Sequence, residues 1–291
     1  MKTDQFCKLL GKGLIFTGLI LFTAVSYCQK PKILVGEGEY QVFFIDQNGH
    51  LFGSGGNLRN LGVNNIGTAG LTMPVAVSPS NLTFKALAGS LHGGAAVDTN
   101  GNVWTMGDNT QGELGNGNTN AFYGAYKITT DNSGNPFTNI NAVCAYFSGN
   151  TSNGFYAIKS DGSLWVWGQT LQGMKGNGTL GDSFTLRPVQ VIIPGNRKVT
   201  QIVAGNIAIA LCSDGTVWTW GGAGILPVNL GYGATGTNYL SPHQVTALSN
   251  ITQIAGGISF NYALKSDGTL YGWGAFGSYM GNYIAKGGGT P

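Results

Sequence analysis

Residues 202–221 read IVAGNIAIALCSDGTVWTWG, and the reading of this stretch decides the fold. A small apolar run over 202–205 is followed by a second from Ile207 to Leu211, then by Asp214-Gly215, then by the aromatic segment 217–221. Asp-Gly between two short apolar runs is a hairpin signal, and the two-residue form expected here is a type I′ turn with both central residues at positive φ. In the segment after the turn, Trp218 and Trp220 share one face and Val217 and Thr219 the other, because strand side chains alternate with a period of two. A strand that is apolar on both faces has to be covered on both sides.

The unit recurs along the chain. Turn dipeptides stand at Asn48-Gly49, Asn100-Gly101, Asp161-Gly162, Asp214-Gly215 and Asp267-Gly268, so the glycines are spaced 52, 61, 53 and 53 apart. Three residues after each turn glycine stands an aromatic residue (Phe52, Trp104, Trp165, Trp218, Tyr271), and three further on another glycine (Gly55, Gly107, Gly168, Gly221, Gly274). All 6 tryptophans fall in these segments. Such a period marks a repeat architecture in which each unit buries its faces against its neighbours. Five hairpins, each needing cover front and back, predict an all-β propeller with blades of up to four antiparallel strands. Small-residue strands such as 86–89 and 254–256 suit the crowded hub. Segments near Pro74, Pro188 and Pro242 suit an outer edge, where proline's missing donor costs nothing.

Composition agrees. Of 291 residues, 49 are glycine and 9% are charged, against averages near ~7% and ~25%. Glycine at that frequency disfavours helices, each interior one costing about 1 kcal/mol relative to alanine. Low charge with 42% apolar content argues against disorder.

Residues 1–28 read as a signal peptide: Lys2, Lys8 and Lys12 precede an apolar run from Leu14 to Val25, and Ser26 and Cys28 fit a cut before Gln29. The expectation is export, to the periplasm, the cell surface or the medium. A lipoprotein acylated on Cys28 and a retained anchor are the alternatives. Without the leader, 12 basic and 11 acidic side chains remain, and no Lys/Arg cluster suits a row of phosphates. Nucleic acid is therefore not an expected partner. Cys144 and Cys212 remain as buried free thiols.

Taken together, the run Ser-Asp-Gly-Thr-Val-Trp-Thr-Trp-Gly at 213–221, the loop Gln111-Gly-Glu-Leu-Gly-Asn-Gly117 and Arg187-Pro-Val189 resemble the regulator-of-chromosome-condensation repeat. The resemblance covers roughly residues 33–291. It implies four-stranded blades, usually seven to a ring. Five hairpins with four complete connections are then expected to form an incomplete or truncated ring. A closed ring of five or six smaller blades is the alternative. An open arc would expose two blade faces and favour self-association. The family's Ala-Gly-x-x-His histidine is kept only at His92, and its Gly-x-Leu-Gly loop is clean only at 112–117.

Chemical motifs are scarce. Gly176–Gly181 and Gly231–Gly236 match G-x-G-x-x-G, but no helix can follow where Pro188 and Pro242 stand, so they read as loops. Asp98–Asn109 begins like a calcium loop but has Val103 where the glycine belongs and Asn109 where the glutamate belongs. His50, His92 and His243 are scattered, and neither His-Glu-x-x-His nor Gly-x-Ser-x-Gly occurs. Glu37, Glu39 and Glu113 with eight aspartates leave a carboxylate pair unsupported. The expectation is no enzyme, no cofactor and no metal. The long connection from Asn118 to Asn141 carries Phe122, Tyr123, Tyr126 and Phe137, the candidate partner-binding loop. The leading expectation is an exported scaffold for protein–protein or cell-surface contact. A guanine-nucleotide-exchange regulator follows only from the resemblance, and a carbohydrate-binding or carbohydrate-active propeller from the aromatic, Asn-rich loops.

Overall fold

A computed structural model describes residues 34–37, 41–55, 71–77, 81–148, 152–180, 183–222, 230–231, 240–256 and 260–274. The leader, Cys28 and most of Gly231–Gly236 lie outside the described residues. Five antiparallel meanders follow one another. Sheet 1 joins β1 (Leu34–Glu37), β2 (Gln41–Ile45), β3 (Leu51–Gly55) and β4 (Leu71–Ala76). Sheet 2 joins β5 (Phe84–Ser90), β6 (Gly93–Asp98), β7 (Val103–Gly107) and β8 (Tyr126–Lys127). Sheet 3 joins β9 (Ile140–Ser148), β10 (Ser152–Lys159), β11 (Leu164–Gln169) and β12 (Phe184–Val191). Sheet 4 joins β13 (Val199–Ala204), β14 (Ile207–Cys212), β15 (Val217–Gly221) and β16 (His243–Gln244). Sheet 5 joins β17 (Ile251–Gly256), β18 (Phe260–Lys265) and β19 (Leu270–Gly274). The first strands β1, β5, β9, β13 and β17 pack beside one another in that order, which makes them the hub of a propeller.

Each joint between consecutive sheets holds one apolar cluster. Phe43, Ile45 and Leu51 meet Phe84, Ala96 and Met106 at the first, and Val97 and Val103 meet Phe155, Ala157 and Trp167 at the second. Tyr156, Leu164 and Val166 meet Ala210, Trp218 and Trp220 at the third, and Ile209 and Val217 meet Ala263 and Trp273 at the fourth. Both strand faces are used, as the aromatic segments require, and a fully buried side chain of this size contributes about 1.5–3 kcal/mol.

In a meander, the turns between second and third strands and the links to the next sheet emerge at one end, here the turn end. The other turns and the long loops from third to fourth strands emerge at the opposite, loop end. At the turn end every joint carries the same backbone clasp. Phe84, Ile140, Val199 and Ile251, each opening its sheet or lying next to its first residue, donate N–H to the carbonyls of Gly49, Gly101, Gly162 and Gly215 in the preceding sheet's turn. The residue just before each of them accepts from its own sheet's turn: Thr99 N to Thr83 O, Ser160 N to Asn139 O, Ser213 N to Lys198 O, Ser266 N to Asn250 O.

The turns are hairpins, as expected, but of another type. Only the glycine has positive φ (87° at Gly49, 80° at Gly101), whereas Asn48, Asn100, Asp161, Asp214 and Asp267 do not. Gly49 N donates to Asp46 O and Asp46 N to His50 O, which is a three-residue loop closed by a type I turn and a glycine bulge. A carboxylate fixes this geometry by accepting nearby amides. It is Asp46 or Asp98 at the first turn position of the Asn-Gly turns, and Asp161, Asp214 or Asp267 at the third of the Asp-Gly turns. At Gly215 a Cβ would lie 3.1 Å from the Asn250 Cα of the clasp, so glycine is required there for space as well as conformation.

Candidate interaction surface

The loop from β7 to β8 is locked before it reaches any candidate residue. Asn109 Nδ2 donates to Asn118 O at 3.1 Å and Asn120 O at 2.8 Å, and its Oδ1 accepts from Leu114 N at 3.0 Å. Thr105 Oγ1 donates to Leu114 O at 2.9 Å, tying the loop to its own sheet. Gly117 N donates to Leu186 O of β12 at 2.9 Å, and Trp167 Nε1 donates to Glu113 O, also at 2.9 Å, tying it to the next sheet. A Cβ at Gly115 would come within 3.1 Å of the Trp167 ring, so the glycine loop is shaped to let the indole approach. The next joint repeats the device: Trp220 Nε1 donates to Met174 O at 3.2 Å, and the Tyr156 hydroxyl donates to the same carbonyl.

On this braced loop the four candidate aromatics part company. Phe122 is 42% exposed and meets Tyr126 edge to face at 5.8 Å between ring centroids. Tyr123 and Tyr126 are half-buried. Phe137 is fully buried, with Trp165 and Trp167 at 5.6 and 6.0 Å. The reason is β8, which interrupts the connection and carries the chain from the loop end to the turn end. Phe122 and Tyr123 precede it and Phe137 follows it. The four rings therefore form no single surface, and Phe137 belongs to the core of the second joint. Lys159 Nζ lies 4.4 Å from the Trp165 centroid and 5.2 Å from that of Phe137, covering them at the turn end.

The extra length of the connection is a small hairpin that sequence reasoning missed. Asp131 N donates to Asn135 O, Gly134 N to Asp131 O, and Asp131 Oδ1 accepts from Ser133 and Asn135 N. These are the bonds of the Asp98 turn again, in the run Asp131-Asn-Ser-Gly-Asn135. The signal was present in that match. The hairpin docks on sheet 3 through Asn132 N to Pro188 O at 2.9 Å and Arg187 Nη1 to Thr130 Oγ1, also 2.9 Å.

Electrostatically, one group at the loop end stands apart. Burial pushes the Glu113 carboxyl up to about 7 against bonds from its own and Gln111's amides, with Asp108's charge adding to the rise. By contrast Asp98, although burial opposes it, is held below the ordinary range by bonds from Trp104 and Asn102. That carboxylate of the calcium-like stretch is spent on the turn. Cys144 and Cys212 are both free, Cys212 buried as expected and Cys144 only half-buried, and desolvation raises both thiols, to about 12 for Cys144 and about 11 for Cys212. At the turn end, a pocket of about 230 Å³ lies among Ser163, Gln190, Ile192, Arg197 and Lys198, with Arg197 held by Asp214 at 2.8 Å. No group of three metal-ligating side chains occurs among the described residues, and no described helix is long and apolar enough to cross a membrane.

Residues 251–279 match the family model of the regulator of chromosome condensation (RCC1) repeat. The ultraviolet-B receptor UVR8 of Arabidopsis thaliana is 35% identical over 184 residues, covering 62% of this chain and 38% of the receptor. The probable E3 ubiquitin-protein ligase HERC6 of Homo sapiens is 28% identical over 204 residues, covering 69% of this chain and 19% of the ligase. Yeast RCC1 (Prp20), in its crystal structure with Kap60, superposes with a TM-score of 0.69 at 17% identity, over 88% of this chain and 60% of that one. Human WBSCR16 superposes with a TM-score of 0.65 at 19% identity, over 83% of this chain and 62% of that one. The chain thus spans less than two thirds of each of these proteins. Sequence repeat, sheet order and superposition agree: residues 251–279 carry the regulator-of-chromosome-condensation repeat, and the chain folds its similar repeats as propeller blades.

Proposed function

We propose that this protein is an exported, non-catalytic propeller scaffold that binds a protein partner through the loop end of sheets 2 and 3. The observation that carries the reading is Phe122, a large aromatic ring 42% exposed on a loop that is itself fixed. Asn109 braces the loop internally, Thr105 ties it to its own sheet, and Gly117 and Trp167 hold it to the next. An exposed ring on a rigid loop offers contact area without an ordering cost, which suits an interface anchor. Yeast RCC1, a structural neighbour, is bound to Kap60 in its crystal structure, which supports a protein as the class of partner. The leader-like residues 1–28 support export.

The test is a comparison of the secreted protein with its Phe122→Ala/Tyr123→Ala form. A partner cross-linked to the wild type is lost in the double variant, while thermal unfolding is unchanged. Retention of the partner by the double variant refutes the loop assignment. Protein recovered outside the cell should begin at Gln29, and an intact Met1 would refute export by cleavage.

A further inference from the structure

We infer that the seam between sheets 2 and 3 holds a binding site for a carboxylate, in which the guanidinium of Arg187 receives an aspartate or glutamate side chain of the protein partner. For the class of partner the inference rests on the protein-binding reading above. Arg187, on β12, lays its guanidinium against Gly117 of the preceding sheet's loop: a Cβ on that glycine would come within 2.5 Å of Nη2 and 2.7 Å of both Cζ and Nε. Nη1 donates to Thr130 Oγ1 at 2.9 Å. Among the described residues no carboxylate pairs with this side chain, and Nε and Nη2 have no acceptor. Both nitrogens reach solvent. Together they are the two parallel donors of the guanidinium fork, the edge that a carboxylate meets with both of its oxygens. The glycine and the threonine fix the fork before any ligand arrives, so little ordering cost is left for binding.

The blade itself does not require this charge. By strand register, Met73, Gly124 and Ser241 stand at the place of Arg187 in sheets 1, 2 and 4. The joint between sheets 3 and 4 closes by the same backbone bond, Gly178 N to Leu240 O in place of Gly117 N to Leu186 O. Ser241 follows there, and a Cβ on Gly178 would meet nothing within 4 Å. The arginine is thus an addition to a joint that holds without it. Its surroundings select the ligand. Asp131, next to Thr130, is 3% exposed, and its carboxylate accepts from Ser133 and Asn135 within its own turn. A half-buried cation without a counter-charge calls for an anion. One positive charge with two parallel donors matches a planar, singly charged carboxylate, whereas a phosphate group brings nearly two charges and three acceptor oxygens.

Titration of the isotope-labelled protein with the blocked tripeptide acetyl-Gly-Glu-Gly-amide, followed by NMR at the arginine Nε–H resonances, tests this inference. The Arg187 resonance should shift saturably with a dissociation constant on the order of millimolar. Acetyl-Gly-Gln-Gly-amide should bind at least about tenfold more weakly, because the charge-assisted bonds are gone. Arg197, whose Nε already donates to Asp214 at 2.8 Å, should not move. Arg187→Lys keeps the charge and loses the fork, and should weaken the Glu peptide by about tenfold, whereas Arg197→Lys leaves it unchanged. Thermal melts establish that both variants are folded, and if Arg187→Lys is not, the wild-type resonance decides by itself. Equal binding of the two peptides, tighter binding of acetyl-Gly-phosphoserine-Gly-amide, full affinity in folded Arg187→Lys, or undiminished capture of the cross-linked partner by that variant would each overturn the inference. The peptide titration needs no partner. Retention of the partner by Phe122→Ala/Tyr123→Ala therefore refutes the loop assignment alone, and failure of the Glu peptide to bind refutes the carboxylate site alone.

Discussion

At the scale of single residues, the two aromatic positions of the third strands do different work. Trp165 Nε1 donates to Ser163 Oγ within its own turn at 2.9 Å, whereas Trp167 Nε1 donates to a carbonyl of the preceding sheet's loop. Trp167→Phe leaves Glu113 O buried without that donor and should cost about 1–3 kcal/mol. Trp165→Phe, whose lost partner can turn to water, should cost less than about 1 kcal/mol. Urea unfolding of the two variants measures the difference. Gly215→Ala strains a φ of 76° and presses on Asn250, and should lower stability by about 1–3 kcal/mol in the same assay. Glu113 adds a pH dependence of its own between the acid range and neutrality. Its folded carboxyl titrates near 7 and its unfolded one near the ordinary 4.5, so between those values the folded state holds the extra proton. The stability Glu113 contributes is therefore greatest below about pH 4.5, falls as pH rises toward 7 and levels off above it. The loss is on the order of 2–3 kcal/mol, and Glu113→Gln should flatten that slope. The glycine and tryptophan positions were legible in the sequence because their spacing repeats. The partners of each indole were not, since the accepting carbonyls belong to another repeat.

At the scale of elements, the hairpin over 130–136 shows where reading by spacing stops. A 61-residue interval among intervals of 52 and 53 marks an insertion, and four aromatic residues within it suggest one binding loop. A two-residue outer strand, Tyr126–Lys127, is too short to have a period, yet it sends Phe122 and Phe137 to opposite ends of the blade. The type I′ assignment failed for a related reason. Asn-Gly and Asp-Gly fit both hairpin forms, and the carboxylate that accepts the turn amides decides between them. Arg187 joins the inserted hairpin to β12, so Arg187→Ala should destabilise by about 1 kcal/mol, a shift of about 2–4 °C in Tm by calorimetry, with the fold kept.

At the scale of the whole molecule, stability is a sum of sheets and of the joints between them. Sheet 3 is covered on both faces, while sheet 5 carries exposed apolar side chains on one. Amides of β18 and β19 should accordingly exchange hydrogen before those of β10 and β11, and mass spectrometry of exchanged peptides reads that order. Uniform exchange across the five sheets would show a single cooperative unit instead. The architecture as a whole was legible because five imperfect copies of one hairpin leave few folds that can bury them all. The turn-end clasp has a consequence for how such a protein can diversify. Its bonds run from main chain to main chain, so, apart from the glycines and the carboxylates that set the turns, no particular side-chain alphabet is needed to keep neighbouring blades in step. Substitutions elsewhere on that rim can accumulate without loosening the joints, while the opposite rim stays bound to its glycine-and-indole vocabulary.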